Sequence, residues 1–156
     1  MIEVKDGSRT LQFSGVLLGE SSSRRSDSTR WIEFKLYKTD NGSYILSRVG
    51  ASIMYHTAAC ALTQRYDLKE VRVEEKHNSF VPCDVCSPLL NANLIFPEKN
   101  RYWAQVSEEA NAVLEALYQY DLNGAKYLTN VAQRLLEKAA SVDSTIEKMY
   151  KVEVIP

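Results

Sequence analysis

The feature that most constrains the fold is a change of hydrophobic period along the chain. In the first half of the chain, and again in short stretches up to Ser107, apolar residues alternate with polar ones, the period of an extended strand. Beyond it they recur every three or four residues, as one face of a helix does. Sheet first and helices last is the pattern of an α+β fold, here an N-terminal antiparallel sheet with a β-hairpin, a central segment, and C-terminal helices.

The clearest strand signal is "WIEFKLYKTDNGSYILSRVG", residues 31 to 50. Ile32, Phe34 and Leu36 share one face, and Glu33, Lys35 and Tyr37 share the other. Asp40-Asn41-Gly42 supplies residues that tolerate the positive φ of a hairpin turn, and the return strand runs from Tyr44 to Val49. A hairpin alone is marginal in water, so residues 10–18 of "TLQFSGVLLGE" are expected to add a third strand. The polar stretch "SSSRRSDSTR" (21–30) reads as an exposed, mobile loop. Further on, 57–66 suits a short helix, "EVRVEE" (70–75) a strand, and "RYWAQVS" (101–107) another. Pro88 and Pro97 leave the segment between them without a regular reading.

In the helical part, Ser107 is expected to cap a helix that carries Val113, Leu114 and Leu117 to about Tyr120, with Glu108 and Glu109 in its first turn. "DLNG" breaks it. A second helix is predicted from Gly124 to Ala140, presenting Leu128, Val131, Leu135 and Leu136. Ser144 and Glu147 read as a capping box for a third helix, and "KVEVIP" as a small edge strand. With 156 residues the chain suits one domain: a sheet over 1–54, a metal-binding segment over 55–99 and a helical segment over 100–156.

Both histidines and all three cysteines lie in one short stretch, in the order His56, Cys60, His77, Cys83, Cys86. The spacing His56-x3-Cys60-x22-Cys83-x2-Cys86 suits a tetrahedral zinc shell of one nitrogen and three sulfurs. Two cysteines three apart on a tight turn aim both sulfurs at one ion, and Pro82 suits the approach to such a turn. His56 and Cys60, four apart, would share one face of a helix. His77 is the rival nitrogen ligand, set in the polar "EEKHNSF". The alternative is that these cysteines are simply buried small apolar residues, as Ala58, Ala59 and Ala61 around Cys60 allow. If zinc is bound, four protein ligands leave no position for a catalytic water, which makes the ion structural.

"YHTAAC" followed by "VPCDVC" resembles the zinc-binding N-terminal module of the bacterial DNA-alkylation-repair and response protein. That module has a ligand pair spaced by three and then a C-x2-C pair after a comparable gap. The resemblance covers residues 55–86 and rests on the four ligand positions. In that family all four ligands are cysteines, and the first accepts a methyl group from damaged DNA. His56 stands at that position here and is no thiolate nucleophile, so the resemblance implies zinc without methyl transfer.

Arg24, Arg25 and Arg30 continue into Lys35, Lys38 and Arg48, with Trp31, Tyr37 and Tyr44 interleaved. Positive charge and aromatic rings on a sheet face can hold single-stranded nucleic acid; the same residues equally make a solvated face with cross-strand ion pairs. A formal charge of −1 and a pI near 6.1 speak against a strongly electropositive nucleic-acid binder. Tyr102, Trp103, Tyr118, Tyr120 and Tyr127 gather around the helices, and tyrosine is enriched at protein interfaces. Cys60 beside His56 or His77 can be written as a nucleophile and base, but no oxyanion hole, Ser elbow or phosphate-cradling Gly loop accompanies them. No apolar run approaches the roughly 20 residues of a membrane helix. The opening "MIEVKDGSRTLQF" lacks the basic and apolar regions of a secretory signal. An odd cysteine count fits a reducing, cytoplasmic setting.

The expectation is therefore a non-enzymatic, zinc-stabilised module that binds a protein partner or itself, a small regulator or inhibitor of a larger complex, with no small-molecule substrate evident. The alternative is a zinc-containing DNA- or RNA-binding protein that uses the basic and aromatic sheet face.

Overall fold

The N-terminal strands follow the alternation in the sequence, with their breaks set by local chemistry. A computed structural model of the chain describes residues 1–57, 60, 69–70, 81–87, 94–96 and 101–156. The chain divides into two units: Met1–Ser23, Glu33–Arg48 and Tyr102–Pro156 form the first, and Arg24–Ile32 with Val49–Arg101 the second. Strands β1 (Ile2–Asp6) and β2 (Arg9–Phe13) make an antiparallel hairpin in which Val4 faces Leu11. Strand β3 (Gly15–Ser22) lies antiparallel to β4 (Arg30–Thr39), with Gly15 opposite Thr39 and Ser22 opposite Glu33.

The third strand of the sheet is thus 15–22 rather than 10–18, because the extended run divides at Ser14. A side chain at Gly15 would collide with the Lys38 carbonyl and with Thr39 Cα, so only glycine lets β3 begin there. A bulge between Leu17 and Gly19 follows, and Leu18 is buried. Strand β5 (Tyr44–Ser52) completes the predicted hairpin. Its turn closes through Thr39 N–H to Ser43 O at 2.8 Å and Gly42 N–H to Thr39 O at 2.9 Å, with Gly42 at φ 87°. Residues 21–22 belong to β3 rather than to the loop, and Ser21 donates to the Val131 carbonyl at 2.7 Å. The rest of the polar stretch holds a turn, with Ser28 N–H on Arg25 O at 3.0 Å and Arg25 N–H on Ser28 Oγ at 2.7 Å.

The second unit is built on β6 (Met54–Thr57), β7 (Lys69–Glu70), β8 (Val81–Pro82) and β9 (Leu94–Phe96), in the sheet order β7-β9-β6-β8. Strand β6 runs parallel to β8 and antiparallel to β9. Most of the predicted 57–66 helix and of the 70–75 strand lies outside the described residues, as does His77.

Strand β10 (Arg101–Ser107) falls where its alternation predicts, beside β5 in the order β10-β5-β4-β3. Helix α1 spans Ala110–Leu117, then β11 (Gln119–Tyr120) and β12 (Lys126–Tyr127), helix α2 Asn130–Ala140 and helix α3 Ser144–Lys151. Each helix begins later than, or with a different cap from, the one expected. Ser107 ends β10, and its hydroxyl donates to the Glu109 carbonyl at 3.3 Å; the cap residue of α1 is Glu109, with no side-chain bond. The residues expected to start the second helix instead form the β11–β12 hairpin. Asp121 Oδ1 accepts from Asn123 and Ala125 N–H at 2.8 and 2.9 Å, and Gly124 turns at φ 80°. Thr129 then caps α2. Asp143, not Ser144, caps α3 through the Ile146 N–H at 2.9 Å. Residues 152–156 form no edge strand and are exposed.

In the first unit α2 packs on β3 and on α3, and α1 packs on α3. Leu36, Leu46, Leu117, Leu135, Leu136 and Ile146 are sealed from solvent. Gly19 lets the layers approach, since a Cβ there would lie 3.1 Å from Lys138 Cβ and 3.3 Å from Ala139 N. Tyr37, expected on a polar face, is buried in a second cluster with Val4, Ile45 and Ala104. Ile2, Leu11 and Phe13 pack against that cluster. Phe13 meets the Tyr37 ring edge-on at 5.2 Å.

Candidate metal centre

Two strands of the second unit bring the ligands together. His56 is the third residue of β6, opposite Ile95 of β9. Cys60 follows the strand, its N–H donating to the Thr57 carbonyl at 3.1 Å. His56 is therefore presented by a strand and Cys60 by the chain beyond it, so the shared helix face expected for the pair does not place His56. The parallel pairing of β6 with β8 aligns Tyr55 with Pro82, and Cys83 N–H donates to the Tyr55 carbonyl at 3.0 Å. That ladder sets Cys83 level with His56.

After Cys83 the chain turns through Asp84, Val85 and Cys86. Ser87 closes the turn, its N–H on the Cys83 carbonyl at 2.8 Å and its backbone in the left-handed region at φ 45°. The turn aims an amide at sulfur, since Val85 N–H donates to Cys83 Sγ at 3.4 Å. From the other arm Thr57 N–H donates to Cys86 Sγ, also at 3.4 Å. Such donors favour the thiolate over the thiol. An amide directed at sulfur is expected of a C-x2-C turn, but Thr57 lies outside that turn, and a backbone amide carries no sequence signature that would have named it.

One atom from each of His56, Cys60, Cys83 and Cys86 lies within 4.8 Å of the other three, a group that could hold a metal ion. Cys60 Sγ and Cys83 Sγ are 3.9 Å apart. A tetrahedral zinc ion with Zn–S of about 2.3 Å and Zn–N of about 2.0–2.1 Å has ligand–ligand edges of about 3.6–3.8 Å. A disulfide would need about 2.05 Å; all three cysteines are reduced. His56 is 1% exposed, Cys60 5% and Cys83 1%, while Cys86 is only half-buried. Met54 shares the buried cluster with Cys60 and Cys83, and Val81 packs against it.

The electrostatics suit a cation ligand set. Burial, with the Arg30 charge second, lowers the His56 pKa and keeps its imidazole in the neutral form that binds metals. For Cys86, burial pushes the thiol up, but the Thr57 amide and the contacts with Cys60 and Cys83 outweigh it and hold the pKa below the ordinary thiol value. Three soft sulfurs and one imidazole make a donor set that could hold a metal ion.

The basic and aromatic residues are divided between the two units. Tyr37 is in the core. Lys38 is held by Asp143, Nζ to Oδ2 at 2.9 Å, and the Tyr44 hydroxyl donates to the same carboxylate at 3.1 Å. Lys35 is exposed, 4.0 Å from Glu20, and Arg48 is half-buried in β5. Arg24 lies over the Trp31 ring, 4.3 Å from its centroid, with Arg25 and Arg30 exposed in the same unit. Of the aromatics around the helices, Tyr120 and Tyr127 are exposed on the β11–β12 hairpin, with Leu122 wholly exposed at its tip. Lys126 lies over the Tyr118 ring at 4.5 Å.

Comparison with protein-family models, with curated proteins and with solved structures finds no match to this chain. Among the described residues no helix is long and apolar enough to cross a membrane.

Proposed function

We propose that His56, Cys60, Cys83 and Cys86 hold one structural zinc ion, and that the protein is a non-enzymatic interaction module acting in the cytoplasm. The observation that carries the reading is the convergence of those four ligand atoms within 4.8 Å, three of them on buried residues. The likeness of residues 55–86 to the alkylation-repair zinc module supports the same ion. Four protein ligands complete a tetrahedron and leave no open position for a substrate or water. The ion then joins β6 to β8, which share two residue pairs among the described residues, and adds stability to that ladder.

The partner we propose is a protein, which the module serves as a small regulator or inhibitor. The exposed Tyr120, Leu122 and Tyr127 on a turn-locked hairpin offer apolar contact area of the kind such interfaces use. A second reading, binding of single-stranded nucleic acid, is favoured by the Arg24–Trp31 stack beside Arg25 and Arg30. Elemental analysis of the purified protein tests the first claim: one zinc per chain is expected, lost together with folded second unit in Cys83→Ser. A folded, metal-free chain would defeat it. Salt titration separates the partner classes, because nucleic-acid affinity resting on three arginines falls steeply with salt.

A further inference from the structure

The four ligands are not equally protected. His56, Cys60 and Cys83 are all but sealed, whereas the Cys86 sulfur belongs to a residue only half-buried, at the end of an exposed turn. Asp84 and Val85, which precede it, stand in solvent, Val85 at 65%. A metal-bound cysteine is a thiolate, and thiolates that reach solvent are the sulfurs peroxides oxidise. Cys60 and Cys83 sulfurs lie within 4.8 Å of that of Cys86, so resolving partners stand beside it.

We infer that Cys86 is the peroxide-reactive sulfur of this centre, and that its oxidation expels the metal. The inference rests on the zinc reading above. In the first step the Cys86 thiolate attacks one oxygen of hydrogen peroxide. An S–O bond forms, the O–O bond breaks, sulfur loses two electrons, and hydroxide departs, leaving a sulfenic acid. In the second step the thiolate of Cys60 or Cys83 attacks that sulfur. An S–S bond forms, the S–O bond breaks, and hydroxide leaves to become water on taking a proton. The ion has then lost two of its four ligands and dissociates. A dithiol reductant reverses the bridge by exchange, and added zinc restores the centre. Because the ion links the arm of β6 to that of β8, the consequence is a loosening of the second unit under oxidant.

The test uses the metal-loaded full chain treated with hydrogen peroxide, with released zinc followed by a chromogenic chelator and cysteine oxidation mapped by mass spectrometry at early times. Cys86 is expected to be modified first, in step with metal release, and both are reversed by dithiothreitol and zinc. A Cys86→His variant keeps a two-sulfur, two-nitrogen zinc shell. Without the reactive thiolate it should release metal at least about tenfold more slowly. First oxidation at Cys60 or Cys83, metal retained after Cys86 is oxidised, or equal release from Cys86→His each overturns the inference while leaving the zinc assignment standing. Should Cys86→His not retain zinc, the order of oxidation in the parent chain decides alone. A parent chain that carries no metal defeats the zinc assignment, and this inference with it.

Discussion

Replacing Asp143 tests the packing of the first unit most sharply, because one buried carboxylate does three jobs there. It is 5% exposed and accepts the Ile146 N–H at 2.9 Å as the cap of α3, the Lys38 ammonium at 2.9 Å and the Tyr44 hydroxyl at 3.1 Å. In Asp143→Ala the lost cap costs about 1 kcal/mol. The Lys38 side chain is 34% exposed, so solvent screening reduces that pair to under about 1 kcal/mol. Tyr44, 2% exposed, loses its carboxylate acceptor at a cost of about 1–3 kcal/mol. The total is about 2–5 kcal/mol, which for a chain of this size lowers Tm by roughly 4–20 °C. Asp143→Asn keeps a cap oxygen and should recover about half. The pH dependence carries the same signature. Burial alone would raise the Asp143 pKa, but the bonds from Lys38, Ile146 and Tyr44 outweigh it and hold the carboxyl below its ordinary value. Its stabilisation is therefore present above the unfolded pKa of about 3.9 and is lost as pH falls through the lower native value. Lys38 is raised, chiefly by its bond to Asp143, so its share is complete below the ordinary lysine value and fades only as pH rises through the raised one. Urea unfolding at acid, neutral and alkaline pH measures both. An Asp143→Ala chain within about 0.5 kcal/mol of the parent, or one with an unchanged acid limb, refutes the reasoning.

Two glycine substitutions should differ in cost for a geometric reason. Gly15→Ala meets backbone that cannot yield, whereas Gly19→Ala meets the Cβ of Lys138 first, at 3.1 Å; both should destabilise by about 1–3 kcal/mol, Gly15→Ala the more, as thermal melts will read. Leu135→Ala, at a wholly buried site, should cost about 2–5 kcal/mol in urea unfolding. Leu122→Ser at the exposed hairpin tip should stay within about 0.5 kcal/mol of the parent in the same assay.

The change of hydrophobic period in the sequence was enough to establish the α+β class, and local turn chemistry placed the Asp40–Gly42 hairpin. The candidate ligand cluster was legible for a like reason, since imidazole and thiol side chains are rare in this chain and stand close together in its sequence. What the sequence left open was decided by packing. Alternation assigns residues to faces but does not say which faces meet water, so Tyr37 read as polar-side until the β1–β2 hairpin was seen to cover it. Cap-forming residues recur along the chain, and Ser107 lost that role because the ladder of β10 extends through it, as Ser144 did because Asp143 stands ready one residue earlier. The His56 and Cys60 spacing suited a helix, yet His56 lies in β6, and the pairing of β6 with β8 is what carries it to Cys83 and Cys86. Spacing along a chain records which groups can meet. Only the long-range ladder between two strands decides that they do, because that contact depends on residues far away in sequence.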